Sequence, residues 1–183
     1  MKSGIDEARS VMEEADCLYT MTEVAAACDQ IADAINRDLQ ARELVVLCIM
    51  NGGLVATGML LPRLRMPLRV DYLHATRYRE QLSGETLHWR VEPSNELSGR
   101  DVLVIDDILD EGYTLEAIID FCKSQSADSV SAAVLVQKEH NRGVRPQVDY
   151  IGLKVPDRYV FGSGMDYKGY WRNAAGIYAV AEK

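Results

Sequence analysis

Apolar residues at Val24, Ala27, Cys28, Ile31, Ile35 and Leu39 recur at the three- and four-residue spacing of one helical face, with Arg and Asp on the other, which predicts a core-packing helix beginning near Thr22. Leu44 to Met50 is then an unbroken apolar run of strand length, stopped by Asn51, Gly52 and Gly53, after which Leu54 to Leu61 regains helical spacing up to Pro62. A further strand is predicted over Leu68 to His74, a loop over the polar stretch Ala75 to Glu85, and the returning strand of a hairpin over Thr86 to Val91. Pro93, Asn95 and Gly99 mark turns before Val102 to Ile105, a buried strand; Asp106 to Tyr113 reads as a polar loop and Thr114 to Lys123 as an amphipathic helix. Val130 to Val136 is another apolar strand, and Tyr150 to Val155 and Ile177 to Ala181 are shorter ones. Strands that alternate with helices need crossover connections, so the pattern predicts an α/β fold with a parallel core sheet flanked by helices.

The chain of 183 residues fits one domain, with no internal repeat, low-complexity tract or linker. Its longest apolar runs reach about a third of the ~20 residues that cross a bilayer, and its start is polar and acidic, so neither export nor membrane anchoring is expected. Cys17, Cys28, Cys48 and Cys122 are widely spaced, without a C-x-x-C, which suggests neither zinc nor a disulfide framework and fits a reducing cytoplasm. The net charge of -8 has the wrong sign for a protein that neutralises a phosphate backbone, which leaves room only for a local basic stripe such as Arg63, Arg65 and Arg69. A phosphorylated small molecule would have to be held by backbone N–H groups and a bridging divalent cation.

The informative segment is Val102 to Thr114, VLVIDDILDEGYT. Loops beyond the carboxyl ends of parallel strands form the ligand crevice, which would present Asp106, Asp107 and Asp110 there, just before a helix. Carboxylates so crowded need a cation or sugar hydroxyls as partners. Gly112 lets backbone approach closely, and Thr114 falls at a helix N-terminus that favours phosphate. For a lone D-D or D-x-x-D, a solvated acidic turn with Thr114 as its cap is an equal reading, and a receiver-type phosphoacceptor site also begins with acids at strand ends.

The full combination resembles the loop of the type I phosphoribosyltransferases, of the hypoxanthine-guanine branch, and the resemblance runs from about Leu44 to Val180. It implies a core over about residues 20–150 and a small hood, mainly 151–183 with an N-terminal contribution. It also implies magnesium-dependent transfer of a phosphoribosyl group from phosphoribosyl diphosphate to a 6-oxopurine, hypoxanthine or guanine, giving IMP or GMP and pyrophosphate in purine salvage. By this resemblance Asp106 and Asp107 hold the ribose hydroxyls, Asp110 is the general base at the purine, and Glu111, Gly112, Tyr113 and Thr114 cradle the 5′-phosphate. Glu111 departs from the family's Thr or Ser. Met50-Asn51-Gly52-Gly53 is similar to the family's pyrophosphate turn, whose often cis peptide would be Met50-Asn51, and Asn51 stands where many relatives have a cation. Val136-Gln137-Lys138 is similar to the strand end whose Lys contacts the 6-oxo group. In the tail VPDRYVFGSGMDYKGYWRN, Tyr159 resembles the stacking aromatic, Val160 a backbone contact to the base, Asp166 a magnesium ligand beside Asp106 and Asp107, and Arg172 a pyrophosphate contact alongside Asn51 and Gly52.

The closing loop of such enzymes commonly carries a Ser-Tyr pair; here the matching stretch is His74 to Arg79, and Thr76 or Tyr78 is the nearest equivalent. His74, His88 and His140 form no triad with a Ser or Cys motif and read as ordinary surface or satisfied residues. A homo-oligomer, dimer or tetramer, is expected, with no nucleic-acid or membrane partner. The rival on the same fold, a regulatory RNA-binding protein with uracil phosphoribosyltransferase activity, would need a basic face that the charge opposes.

Overall fold

The computed structural model describes residues 3–40, 42–78 and 86–182, with the backbone alone at 76–78 and 86–87. Helices α1 (Gly4–Glu14) and α2 (Met21–Leu39) each open on a capping box, Ser3 with Asp6 and Thr20 with Glu23. Such a reciprocal pair satisfies N–H groups that the first turn leaves open. The cap of α2 is thus Thr20 rather than Thr22. It also ends strand β1 (Asp16–Thr20), an element the apolar pattern does not reveal.

The main sheet contains β2 (Leu44–Ile49), β3 (Leu68–Tyr78), β4 (Thr86–Val91), β5 (Asp101–Leu109), β6 (Ser129–Glu139) and β7 (Tyr150–Pro156), in the order β4-β3-β2-β5-β6-β7. All neighbours are parallel except β4, which returns antiparallel along β3. Helices α2 and α3 (Gly53–Leu60) cover one face and α4 (Tyr113–Ser124) the other. Alternation along each strand divides the core between these faces. Leu44, Val46, Leu103 and Ile105 pack with Ile31, Ile35 and Leu60, whereas Val45, Leu47, Val102 and Val104 pack with Leu115, Ile118 and Cys122. Strands buried on both faces read as continuous apolar runs, and each fully buried Leu or Ile contributes about 1.5–3 kcal/mol relative to exposure.

A second, antiparallel sheet joins the ends of the chain, in the order β1-β9-β8, with β8 at Val160–Phe161 and β9 at Gly176–Ala179. Helix α1 closes over its aromatic residues: the Trp171 indole donates to the Ala8 carbonyl at 2.6 Å and the Tyr167 hydroxyl to Glu7 at 2.9 Å. No helix among the described residues is long and apolar enough to cross a membrane.

Several strands outrun their sequence-based bounds, and two of them bear on the site. β5 extends through Asp106 and Asp107 to Leu109, because it stays paired with β6 as far as Leu109↔Gln137 and buries Leu109 beneath α4. The acids therefore lie on a strand and not in a loop. β3 runs to Tyr78, across the first four residues of the stretch predicted as loop, because β4 pairs with it from His74 onward.

The turn that leads from β4 into β5 is fastened by Asp71, a buried carboxylate of β3. It accepts from the Tyr72, Ser94 and Asn95 backbone N–H groups at 2.8, 2.7 and 2.6 Å, and from the Ser94 hydroxyl and Asn95 amide, both at 3.0 Å. Burial pushes this carboxyl up, but the hydrogen bonds from Asn95, Tyr72 and Ser94 outweigh it and hold the group below its ordinary value. Its stabilisation is therefore complete above the usual carboxylate range and is lost as pH falls through the lowered folded-state value. Asp71→Ala, which removes the acceptor of five hydrogen bonds, is expected to destabilise the fold by ~2 kcal/mol near neutral pH. Denaturant unfolding will check this, and the deficit should shrink as the solution is acidified.

Candidate active site

Strand β2 ends at Ile49 while β5 continues, so beyond the Cys48↔Ile105 pair β5 has no neighbour on that side. The chain turns away at Met50-Asn51, whose peptide is cis, and enters α3. Gly52 and Gly53 let this turn lie against β5: a Cβ on Gly52 would fall 2.1 Å from an Asp107 carboxylate oxygen, and one on Gly53 2.6 Å from the Ile105 carbonyl. Gly164 closes the other side, at φ 111°, with its Cβ position 2.3 Å from the Gly52 carbonyl. The result is a crevice at the carboxyl end of the parallel strands, where such sheets bind ligands.

The crevice consists of two hollows that share Asp106, Asp107, Ile108 and Asp110. The larger, about 510 Å³, brings together Asn51, Gly52, Lys138, Tyr159, Val160, Asp166 and Arg172. The second, about 430 Å³, is lined by the run from Glu111 to Thr114. Every site residue singled out in the sequence lines one of the two. His74 also lines the larger hollow, whereas His88 is exposed. The side chains of Thr76 and Tyr78, and Arg79 altogether, lie outside the described residues.

Asp106 and Asp107 are raised above the ordinary carboxylate range, chiefly by burial, and Asp106 also by the charge of its neighbour. Arg172 offers partial compensation, 3.8 Å from Asp107. The same guanidinium donates to the Gly164 carbonyl at 2.7 Å and pairs with Asp166, whose other oxygen accepts from Gly169 N–H at 2.7 Å. Asp166 is thus engaged by Arg172, and the three acids do not form a closed cage. Among the described residues, the one trio of potential ligands within 4.8 Å of each other is Asp110, His140 and Asp157. Lys138 and Arg142 already pair with its carboxylates.

At the end of β5, Asp110 accepts from Lys138 Nζ at 2.6 Å through one oxygen and lies 2.6 Å from His140 Nε2 through the other. Burial pushes its carboxyl up, but the hydrogen bonds and charges of Lys138 and His140 reverse this and hold it below the ordinary range. Asp110 is therefore an ionised acceptor near neutral pH. Tyr159 stands at the rim, half exposed, edge-on to Tyr167 with ring centres 5.4 Å apart. Helix α4 opens on Gly112, in the left-handed region at φ 82°. A Cβ there would meet the Val144 carbonyl at 2.5 Å, so the segment 140–147 presses directly on the loop before α4, and Val144 N–H donates to Glu111 at 2.8 Å.

The sequence reading missed this segment. His140 is buried against Asp110, Arg145 donates to the Asp110 carbonyl at 3.0 Å, and Arg142 binds Asp157 at 2.8 Å, holding that carboxyl down to about 2. A signal was present: Lys138 and His140 are two residues apart at a strand end, so their side chains fall on one side.

The family model of the phosphoribosyl transferase domain matches residues 14–168. A hypoxanthine-guanine phosphoribosyltransferase of Staphylococcus aureus is 28% identical over 160 residues, 86% of this chain and 89% of the relative. The crystal structure of a hypoxanthine phosphoribosyltransferase from Staphylococcus aureus superposes with a TM-score of 0.88 at 23% identity, covering 99% of this chain and 97% of the other. That of a hypoxanthine-guanine phosphoribosyltransferase from Bacillus anthracis gives 0.83 at 24%, covering 91% and 97%. With the paired acids of β5, the glycine turn packed on them and the loop into α4 all inside the matched span, the chain belongs to the phosphoribosyltransferase family.

Proposed function

We propose that the protein transfers the phosphoribosyl group of phosphoribosyl diphosphate to N9 of a 6-oxopurine, hypoxanthine or guanine, in purine salvage. The observation that carries this reading is the Asp110–Lys138 pair in a hollow that Tyr159 also lines and that continues to Asp106 and Asp107. An acceptor and a cationic donor side by side match the two neighbouring polar edges of a 6-oxopurine, and the acid pair suits ribose hydroxyls. Lys138 donates to the 6-oxo group, Tyr159 stacks on the ring and the backbone at Val160 meets its edge. The Glu111 to Thr114 run holds the 5′-phosphate with backbone N–H groups and the Thr114 hydroxyl, while Asn51, Gly52 and Arg172 meet the diphosphate. As N9 bonds to C1′, the bond from C1′ to the diphosphate oxygen breaks and the purine proton passes to Asp110. The four free thiols suit a reducing compartment such as the cytoplasm.

Carboxylate oxygens suit magnesium, which commonly takes only one or two protein ligands and completes its shell with phosphate and water. Asp106, Asp107 and Asp166 fit it, since two of them are buried acids short of compensating charge. When bound, the ion neutralises charge on the departing diphosphate. Chelation should abolish turnover and magnesium restore it, and calorimetric detection of tight diphosphate binding in full chelator would contradict the assignment.

Asp110→Asn should lower kcat by ~10²–10⁴ with a much smaller effect on phosphoribosyl diphosphate binding. Near-parental turnover would remove Asp110 as the base. Adenine would set an amino donor against Lys138, and sites built on such a contact reject the wrong analogue by ~10⁴–10⁵. Competition among free bases should show adenine and uracil as very poor substrates. Lys138→Gln, whose amide oxygen can face an amino group, should narrow the gap between hypoxanthine and adenine. Unchanged preference in that variant would overturn the role of Lys138.

A further inference from the structure

His140 lies outside every motif on which the proposed function rests, yet it is the more deeply buried partner of Asp110: its side chain is 4% exposed, against 39% for the carboxylate. Its tautomer follows from its neighbours. Nδ1 faces the Arg142 backbone N–H at 3.1 Å and the Arg145 guanidinium, also at 3.1 Å. Both can only donate, so Nδ1 is an acceptor and the ring proton sits on Nε2, aimed at Asp110 Oδ1. Arg145 also donates to the carbonyls of His140 and Asp110, which locks the ring and the backbone of the acid into one unit.

We propose that His140 is the positioning residue for Asp110, fixing one carboxylate oxygen through Nε2–H so that the other faces Lys138 and the incoming base. The inference rests on Asp110 being the proton acceptor. Its physical reason lies in what happens to Lys138. A lysine ammonium on a flexible stem holds Asp110 Oδ2 in this structure, but it must turn to the 6-oxo group when a purine binds. The carboxylate then loses that donor just as its orientation starts to matter. The imidazole is held from behind by Arg142 and Arg145 and stays in place. Such outer-shell orientation of a reacting group by a second, fixed hydrogen bond is the arrangement found behind metal-bound histidines and in catalytic triads.

The other charged groups around Asp110 do not supply this constraint. Lys138 is the donor that moves, Arg142 is committed to Asp157, and Arg145 reaches only the main chain and His140. Glu111, the pair Asp106 and Asp107, and Asp157, whose carboxylate comes within 4.8 Å of that of Asp110, are acids and can only repel it.

The test is a double-mutant cycle on the full chain, with hypoxanthine and phosphoribosyl diphosphate as substrates. His140→Leu should lower kcat/KM for the base by about 10- to 100-fold, the range for loss of an orienting partner, while KM for phosphoribosyl diphosphate stays near the parental value. His140→Gln, whose amide N–H can take the place of Nε2–H, should recover most of the loss. In an Asp110→Asn background the same His140→Leu change should cost little, because the carboxylate it orients is gone. The acid limb of the pH profile should also move to higher pH in His140→Leu, since a donor that favoured the ionised carboxylate has been removed, and should stay in place in His140→Gln. Equal losses in both backgrounds, with an unmoved acid limb, would show that His140 merely supports the fold and would overturn the proposal, as would a fully active His140→Leu. If Asp110→Asn alone is near-parental, the general-base reading fails first, and the cycle separates that result from failure of His140 alone.

Discussion

Two adjacent carboxylates at the end of a strand, Asp107 buried and Asp106 half-buried, are the constraint around which the crevice is arranged. Burial acts against the charge of both Asp106 and Asp107. The strand leaves no alternative, because Asp106 and Asp107 belong to the last turns of a ladder that β6 holds in register to Gln137. What the surroundings can do is keep side chains away and bring one cation near. Gly52, Gly53 and Gly164 remove the Cβ atoms that would collide with Asp107, with β5 and with each other's backbone, and Arg172 supplies the cation. The local cost of that burial is supported by a sheet whose central strands are covered on both faces.

The segment 140–147 plays a corresponding part for the other hollow. It leaves β6 just past Lys138, meets the backbone of Glu111 through Gly143 and Val144, and reaches the connection before Tyr159 through Arg142 and Asp157. One short stretch thereby ties the loop that opens α4 to the wall that carries the aromatic rim. Gly112 and Gly143 are both at positive φ, and both sit where backbone meets backbone at a distance that no side chain permits. The contact holds the backbone of Glu111, next to Asp110, against the segment that follows Lys138.

Periodicity revealed the helices and the buried strands well, because a strand covered on both faces shows as an unbroken apolar run and α2 shows its stripe plainly. It failed where pairing overrides composition. Polar residues of β3 beyond His74 are strand because β4 lies beside them, and the acids of β5 are strand because β6 does. β1 escaped notice since its five residues are half exposed and gain their partner, β9, from the far end of the chain. For the site, residues in a compact motif such as Asp106 to Thr114 were legible from spacing. Arg145 was not, because its role arises from a loop folding back on a different strand, and the spacing of His140 from Lys138 was the one faint signal for a histidine outside any pattern of nucleophile and base.

The remaining question is how a chain of net charge -8 makes room for a highly anionic ligand. Among the described residues the crevice gives little from its own side chains: Lys138 and Arg172 are each already paired, with Asp110 and with the acids Asp107 and Asp166. Among the described residues, the hollow lined by the loop into α4 contains no Lys or Arg, and it carries Glu111. Attraction there must come from oriented backbone N–H groups and the start of a helix, which act over a few ångströms and leave the surface potential unchanged. Such a site does not gather phosphates from a distance as a basic groove does. On the proposed function it discriminates at contact, and the ligand that suits it is one that arrives with its own countercharge and whose hydroxyls and phosphate reach both hollows at once, whereas a free phosphate satisfies only part of that demand.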